Sequence, residues 1–239
     1  MEDWLSTIPR FTRTWFVGTI ALSLLGRFQL INVYWLVLDA DRLFNGFQLW
    51  RPVTALLYYP TSMHFLFNLY FLYNYSLRLE TGMFAQRPAD YLFMLLFSWT
   101  CSVIVALLAG FPLLMDVMVL VVIYVWCQLN KDTIVTFWFG LQFKAMYLPW
   151  VILIFNVVIV HSGLMELVGI LIGHLYFFLM FKYPEDFGGR KLLQTPQFLY
   201  YYFPTVGGAA RFGNAPVAPR DGGGVGTRGA FRGQGHTLG

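Results

Sequence analysis

The sequence predicts an all-α protein that crosses a membrane six times and ends in a disordered tail. Three observations carry that expectation. Of the 239 residues, 58% are apolar and only 12% are charged, about half the roughly 25% charge of a soluble globular domain. Too little polar surface remains to cover such a domain in water, so the ordinary soluble classes are excluded. The apolar residues also gather into runs near the roughly 20 residues that a spanning helix requires. Beyond Phe203, finally, Gly, Pro, Arg and Ala dominate, and such a segment buries too little apolar surface to offset its chain entropy.

Trp4, Leu5, Ile8 and Trp15 recur at helical spacing beside Arg10 and Arg13, so residues 1–14 form either a short helix in the membrane interface or a frayed terminus. The run Phe16 to Leu25 superficially resembles a signal peptide. The further runs that follow it favour a retained first span, from about Trp15 into the thirties and interrupted by Arg27. The second span is expected at about Met63 to Leu79. The third, about Tyr91 to Gly110, carries no charge.

The fourth span lies between Pro112 and Leu129 with Asp116 near its start, and the fifth runs from about Tyr147 to Val160. The sixth covers about Leu164 to Phe181 and begins with Glu166. These last three are short or carry a carboxylate at one end, which suits a locally thinned bilayer or protein-lined water. The membrane unit is therefore expected over 15–182. An aromatic juxtamembrane segment over 183–203, containing QTPQFLYYYF, is expected to lie along the interface. A glycine-rich linker follows over 204–230.

Arg10, Arg13, Arg78, Arg87, Lys131, Lys144 and Lys182 fall on one side of this arrangement, and the loops near Gly110 and His161 hold no Lys or Arg. Only the first loop on the opposite side breaks the rule, with Arg42 and Arg51 roughly offset by Asp39 and Asp41. Both termini are therefore expected in the cytosol. In a soluble protein the net charge of +4 would hint at nucleic acid. Here the sixteen basic residues read as topology signals, and no nucleic-acid partner is expected. Cys101 and Cys127 lie within apolar runs and are expected to be packing residues, not a disulfide.

Most catalytic signatures are missing. There is no H-E-x-x-H, and His64, His161, His174 and His236 do not cluster with cysteines at zinc spacing, so neither a metal site nor a cofactor is expected. Asp116 and Glu166 lack the G-x-G-D setting of an aspartyl intramembrane protease. No G-x-S-x-G or G-x-S-G occurs, and from Phe111 to Phe139 there is neither serine nor glycine. G-V-G-T-R-G at Gly224 to Gly229 matches a dinucleotide fingerprint in form but has no strand before it or helix after it. The sequon Asn74-Tyr75-Ser76 sits within a span and is expected to be silent.

Three membrane features remain. His64 and Asn68 are four residues apart and share a helical face continued by Phe71 and Tyr75, which suits either helix packing or a polar site. Gly169 and Gly173 form a G-x-x-x-G whose usual meaning is close helix contact. Glu166 precedes Gly169 by three residues on the same face, as a helix-end residue or a functional one.

These residues together resemble a rhomboid-fold protein, and specifically the Derlin family. In Q-L-W-R-P, Trp50 and Arg51 match a rhomboid loop pair, and H-F-L-F-N from His64 to Asn68 resembles the second span, whose His and Asn help bind the oxyanion in rhomboids. Active rhomboids place their catalytic histidine where this chain has Glu166, and the serine motif is absent as well. The resemblance therefore implies a pseudoprotease. RPADYLFMLLF, FKAMYLPWVIL and GHLYFFLMF look Derlin-like.

FRGQGHTLG over 231–239 resembles the SHP box, which binds the AAA ATPase valosin-containing protein. Phe231, Gly233, Gly235, Leu238 and Gly239 supply its aromatic, its spaced glycines and its leucine. Phe231 and Leu238 can each enter an apolar pocket while the glycines let the backbone approach. The linker would span roughly 30 Å as a flexible coil.

The resemblance implies a multi-pass protein of the endoplasmic-reticulum membrane that acts in ER-associated degradation, moving misfolded polypeptides to the cytosol for ubiquitin-dependent degradation. Implied partners are valosin-containing protein, an ER ubiquitin-ligase complex, misfolded ER polypeptides and other Derlins in a homo- or hetero-oligomer. Trp50, Arg51, His64, Asn68 and Glu166 would line or brace the path, with Gly169 and Gly173 holding the helices. The alternatives are an intramembrane protease with an unrecognised dyad and a passive scaffold for the ATPase.

Overall fold

A computed structural model describes residues 7–137, 140–159, 163–186 and 192–205. Helix α1, Arg10–Arg27, begins where the carboxylate of the distant Glu80 accepts the backbone N–H groups of Phe11 (3.0 Å) and Thr12 (2.8 Å) and the hydroxyl of Thr12 (2.7 Å). An anion at a helix N-terminus satisfies free donors and complements the helix dipole. The helix therefore starts earlier than the sequence suggests. It also stops earlier, because Gln29 takes a positive φ of 57° and turns the chain away. The expected continuation into the thirties is a loop with one 3-10 turn at Val33–Trp35.

Two short helices, α2 (Ala40–Phe44) and α3 (Arg51–Leu57), follow within that loop. Helix α4, Met63–Thr81, is capped by Ser62, whose hydroxyl accepts from the Phe65 N–H at 3.3 Å. Helix α5, Pro88–Ala109, starts on a proline and ends at Gly110. Both choices follow from backbone chemistry: Pro88 gives up an N–H that a first turn does not use, and Gly110 adopts a left-handed φ of 75° without a Cβ penalty.

Helix α6, Met115–Leu129, is the centre of the molecule. Every residue from Val117 to Cys127 is buried, as expected of a helix apolar on all sides. It packs against α4 on one side and, on the other, against α8, Leu164–Phe177. Between them come a hairpin of β1 (Ile134–Phe137) and β2 (Leu141–Lys144), then helix α7, Leu148–Ile159. The hairpin departs from the all-α expectation. The β-branched run Ile134, Val135, Thr136 favours extended backbone, and Gly140 with φ 78° reverses it. At its base the Asp132 carboxylate accepts from Lys144 Nζ at 3.0 Å, which raises the Lys144 pKa above its ordinary value.

Helix α8 continues through a π turn at Phe178–Lys182 into α9, Tyr183–Asp186. Helix α10, Gln197–Tyr202, then folds back on α5. Thr195 Oγ1 and Tyr200 Oη both donate to the buried Asp90 Oδ1 at 2.5 Å, and the Phe203 ring meets Phe11 at 5.3 Å. The aromatic segment is thus held by hydrogen bonds to the end of α5.

Two described helices are long and apolar enough to cross a membrane, Pro88–Ala109 and Leu164–Asp186. Helices α6 and α7 are apolar but shorter. At 1.5 Å per residue α6 reaches only about 22 Å, against a hydrocarbon core of about 30 Å. The fold is mostly helical and consistent with a polytopic membrane protein.

Candidate functional site

The strongest polar feature lies where the first turns of two helices meet the middle of the bundle. His64 and Asn68 are one turn apart on α4. Both face Asp116 in the first turn of α6: Asn68 Nδ2 donates to Asp116 Oδ1 at 2.5 Å, and His64 Nε2 lies 3.2 Å from the same oxygen. Tyr59 stacks on the His64 ring at 5.8 Å and fixes its orientation.

A second pair stands opposite. Asn156 on α7 donates through Nδ2 to Glu166 Oε1 at 2.6 Å, and both side chains are buried. Glu166 Oε2 is also buried and has no hydrogen-bond partner among the described residues. Asp116 and Glu166 each occupy a helix's first turn, where the dipole favours a carboxylate. That placement and the amide donors offset part of the cost of keeping two acidic groups away from water.

The two pairs line one cavity of about 30 Å³, room for about one water-sized group. Its remaining wall is apolar and includes Leu120, Ile123 and Ile152. Phe137 at the end of β1 closes the base, parallel to Phe71 at 6.4 Å and edge-on to Phe155 at 6.1 Å. A hairpin from the loop between α6 and α7 thus reaches a polar chamber between helices.

The G-x-x-x-G brings α8 against α6. A Cβ on Gly169 would stand 2.7 Å from the Val117 carbonyl oxygen and 2.9 Å from Leu120 Cβ, and one on Gly173 would stand 2.9 Å from Tyr124 Cβ. Only glycine permits this approach. It seats Glu166, one turn earlier, against the first turns of α6. Tyr124 Oη and His174 Nδ1, 2.7 Å apart, link the same two helices farther along.

The structure therefore brings His64, Asn68 and Glu166 to one chamber, with Gly169 and Gly173 in the contact that positions it. Trp50 and Arg51 lie elsewhere. Arg51 is fully buried beneath the loop between α1 and α4, where it donates to Gln48 Oε1 (2.7 Å) and to the carbonyls of Tyr34 (2.9 Å) and Val37 (2.6 Å). Trp50 is half-exposed on that loop. Phe231, Gly233, Gly235, Leu238 and Gly239 lie outside the described residues, as does His161.

Two residues of the chamber were not picked out by their sequence. Asp116 was visible only as a carboxylate in an apolar run, and Asn156 is a lone amide within LPWVILIFNVVI. A polar residue in such a run was the available signal; its partner was not. Among the described residues, none that lines the chamber is a serine, threonine or cysteine. The chamber offers a histidine, two acidic groups and two amides, a set suited to hydrogen bonding with polar side chains.

The family model described as "Der1-like family" matches residues 8–197. The chain is 54% identical over 223 residues to Derlin-1 of Homo sapiens, covering 91% of this chain and 89% of that protein. It is 50% identical over 212 residues to Derlin-1 of Caenorhabditis elegans, at 87% and 86% coverage. The probable derlin-1 homolog of Dictyostelium discoideum is 32% identical over 241 residues, covering 100% and 99%.

Proposed function

The chain belongs to the Der1-like family, and from that membership we propose that it is a non-proteolytic component of ER-associated degradation that passes misfolded polypeptides toward the cytosol. In this reading it is a six-span, rhomboid-like protein of the endoplasmic-reticulum membrane with both termini cytosolic. The observation that carries the proposal is the buried polar chamber of His64, Asn68, Asp116, Asn156 and Glu166, walled in part by α6, a helix too short for a full bilayer.

A charged residue at the midplane of intact lipid costs roughly 2.5 to 3.5 kcal/mol. A small chamber with donors and acceptors gives the polar side-chain tips of a passing chain partners inside the membrane, and a short helix thins the lipid beside it. Both lower the barrier to passage without any covalent step. The position three residues before Gly169 is a glutamate whose nearest donor is Asn156, not a histidine beside a serine. That arrangement supports the pseudoprotease reading.

Directional pulling is assigned to valosin-containing protein, recruited by Phe231, Gly233, Gly235, Leu238 and Gly239. The Asp90 contacts of Thr195 and Tyr200 support a tether that leaves the membrane unit beside α5. From there the linker would keep the ATPase within roughly 30 Å. An ER ubiquitin-ligase complex and further Derlin subunits complete the proposed assembly.

The test is capture of a chain in transit. A photoreactive phenylalanine replacing Phe155, on the chamber wall, is expected to form adducts with an unfolded polypeptide fused to a tightly folded domain that stalls its passage. No adduct, with ATPase recruitment intact, would replace the conduit by a scaffold that only recruits the ATPase. Cleavage of the polypeptide by the purified chain would overturn the pseudoprotease assignment.

A further inference from the structure

We propose that the free edge of strand β1 docks an extended segment of the polypeptide in transit, so that the hairpin reads main chain by strand addition. This inference rests on the conduit reading and adds to it a second contact beside the polar chamber.

The phase of the hairpin decides which backbone groups are free. Ile134 pairs with Lys144, Val135 with Phe143, Thr136 with Gln142 and Phe137 with Leu141. Ala145 N–H donates to the Thr133 carbonyl at 2.8 Å. In an antiparallel pair, residues that exchange hydrogen bonds alternate with residues that do not. The bonded positions are thus Thr133, just before β1, and Val135 and Phe137 on it. Ile134 and Thr136 turn their N–H and C=O groups away from β2.

That free edge borders a groove. Thr136 and Phe137 form one wall of a cavity of about 350 Å³, and Leu66 and Tyr70 of α4 stand on the other. No β2 residue takes part. Phe67, Phe71 and Phe137 line both this groove and the polar chamber, so the two are neighbours with these rings between them. The edge of β1 thus lies on the far side of the Phe137 ring from the chamber.

The chemistry of the edge selects the occupant. Acyl chains cannot pair with a strand's N–H and C=O groups, which is why open sheet edges are not found against lipid. A transmembrane helix has already spent its backbone groups internally. An unfolded chain in extended form offers both donors and acceptors and sends alternate side chains to opposite faces. One set would enter the aromatic groove. Because main-chain bonds supply the contact, unrelated sequences can use it.

Proline at position 136 tests this directly. Thr136→Pro removes an N–H that the hairpin does not use and places a ring on the free edge, a position that strands tolerate. Gln142→Pro does the same on the opposite edge, on β2, and serves as the control. Both are made in the full chain, with photoreactive phenylalanine at Tyr70 to report on the groove and at Phe155 to report on the chamber. The probe is the stalled polypeptide described above.

The expected result is an adduct at Tyr70 that falls about fivefold in Thr136→Pro, the loss of roughly one net hydrogen bond, and is retained in Gln142→Pro. An undiminished adduct in Thr136→Pro, or equal losses in both variants, would overturn the proposal. An adduct at Phe155 with none at Tyr70 in the unsubstituted chain would overturn the edge site and leave the conduit standing. Adducts at neither would overturn both. Amide exchange needs no variant: Ile134 and Thr136 are expected to exchange more slowly when the polypeptide is stalled. Unchanged exchange would also overturn the proposal.

Discussion

Asn68 on α4 gives its amide proton to Asp116 on α6 at 2.5 Å, beside the His64 contact to the same oxygen and across an interface otherwise rich in apolar side chains. The bond ties the two helices and holds a buried carboxylate in place. Removing the donor alone leaves an acceptor short of a partner, a loss of about 1–3 kcal/mol. Asn68→Leu is expected to lower the thermal midpoint in detergent, and Asn68→Leu with Asp116→Leu to recover part of that loss. A double variant as unstable as the sum of the two single ones would show that the pair is not coupled.

Gly169 and Gly173 differ in what stands opposite them. An added methyl at Gly169 meets the Val117 carbonyl, which is backbone, while at Gly173 it meets the side chain of Tyr124. Overpacking of this kind costs typically about 1–3 kcal/mol. Gly169→Ala is therefore expected to lower the unfolding midpoint more than Gly173→Ala, and Gly169→Val more than either. Equal midpoints for Gly169→Val and the unsubstituted chain would remove the close α6–α8 contact from the account.

Glu80 starts α1 from the far end of α4. Replacing it with alanine leaves the Phe11 and Thr12 N–H groups and the Thr12 hydroxyl without their carboxylate. The expected cost is about 2 kcal/mol, the upper range for a cap. Hydrogen exchange should report it as faster exchange confined to the first turn of α1, with Glu80→Gln intermediate. Exchange unchanged in Glu80→Ala would mean that the cap is not formed in the membrane.

Asp90 has one oxygen shared by Thr195 and Tyr200 and another that is buried without a partner among the described residues. Asp90→Leu is expected to release α10 from α5. Limited proteolysis should then cut between residues 192 and 203 in the variant and spare them in the unsubstituted chain. Equal cutting in both would show that other contacts hold the segment.

Deleting residues 231–239 is expected to abolish co-purification of valosin-containing protein while leaving membrane insertion unchanged. Replacing Phe231 and Leu238 together with alanine should do the same, since they are the two side chains assigned to pockets. Undiminished co-purification would sink the tail assignment.

What could be read in advance depended on how local each cause was. Helix α5 was legible to within about three residues, expected from Tyr91 to Gly110 and found at Pro88–Ala109, because its uncharged apolar run is local to it. The start of α1 was not, because its cap comes from Glu80, which follows Phe11 by 69 positions. The hairpin was hidden for a different reason: Ile134 to Phe137 is too short a run to outweigh the helical character of its neighbours. In the chamber, His64, Asn68 and Glu166 carried a pattern of spacing. Asp116 and Asn156 carried only their polarity, and their partners emerge when α4, α6, α7 and α8 converge.

The central claim is that the polarity of the chamber, not merely its shape, lowers the barrier to passage. Glu166→Leu combined with Asn156→Leu removes both partners of one pair, which limits the loss of stability, and turns half the chamber apolar. The measurement is the half-life of a misfolded ER protein in cells whose only Derlin is this double variant, with its abundance and ATPase co-purification matched to the unsubstituted chain. A half-life lengthened several-fold is the result expected. Clearance at the unsubstituted rate, with the variant folded and the ATPase bound, would contradict the account.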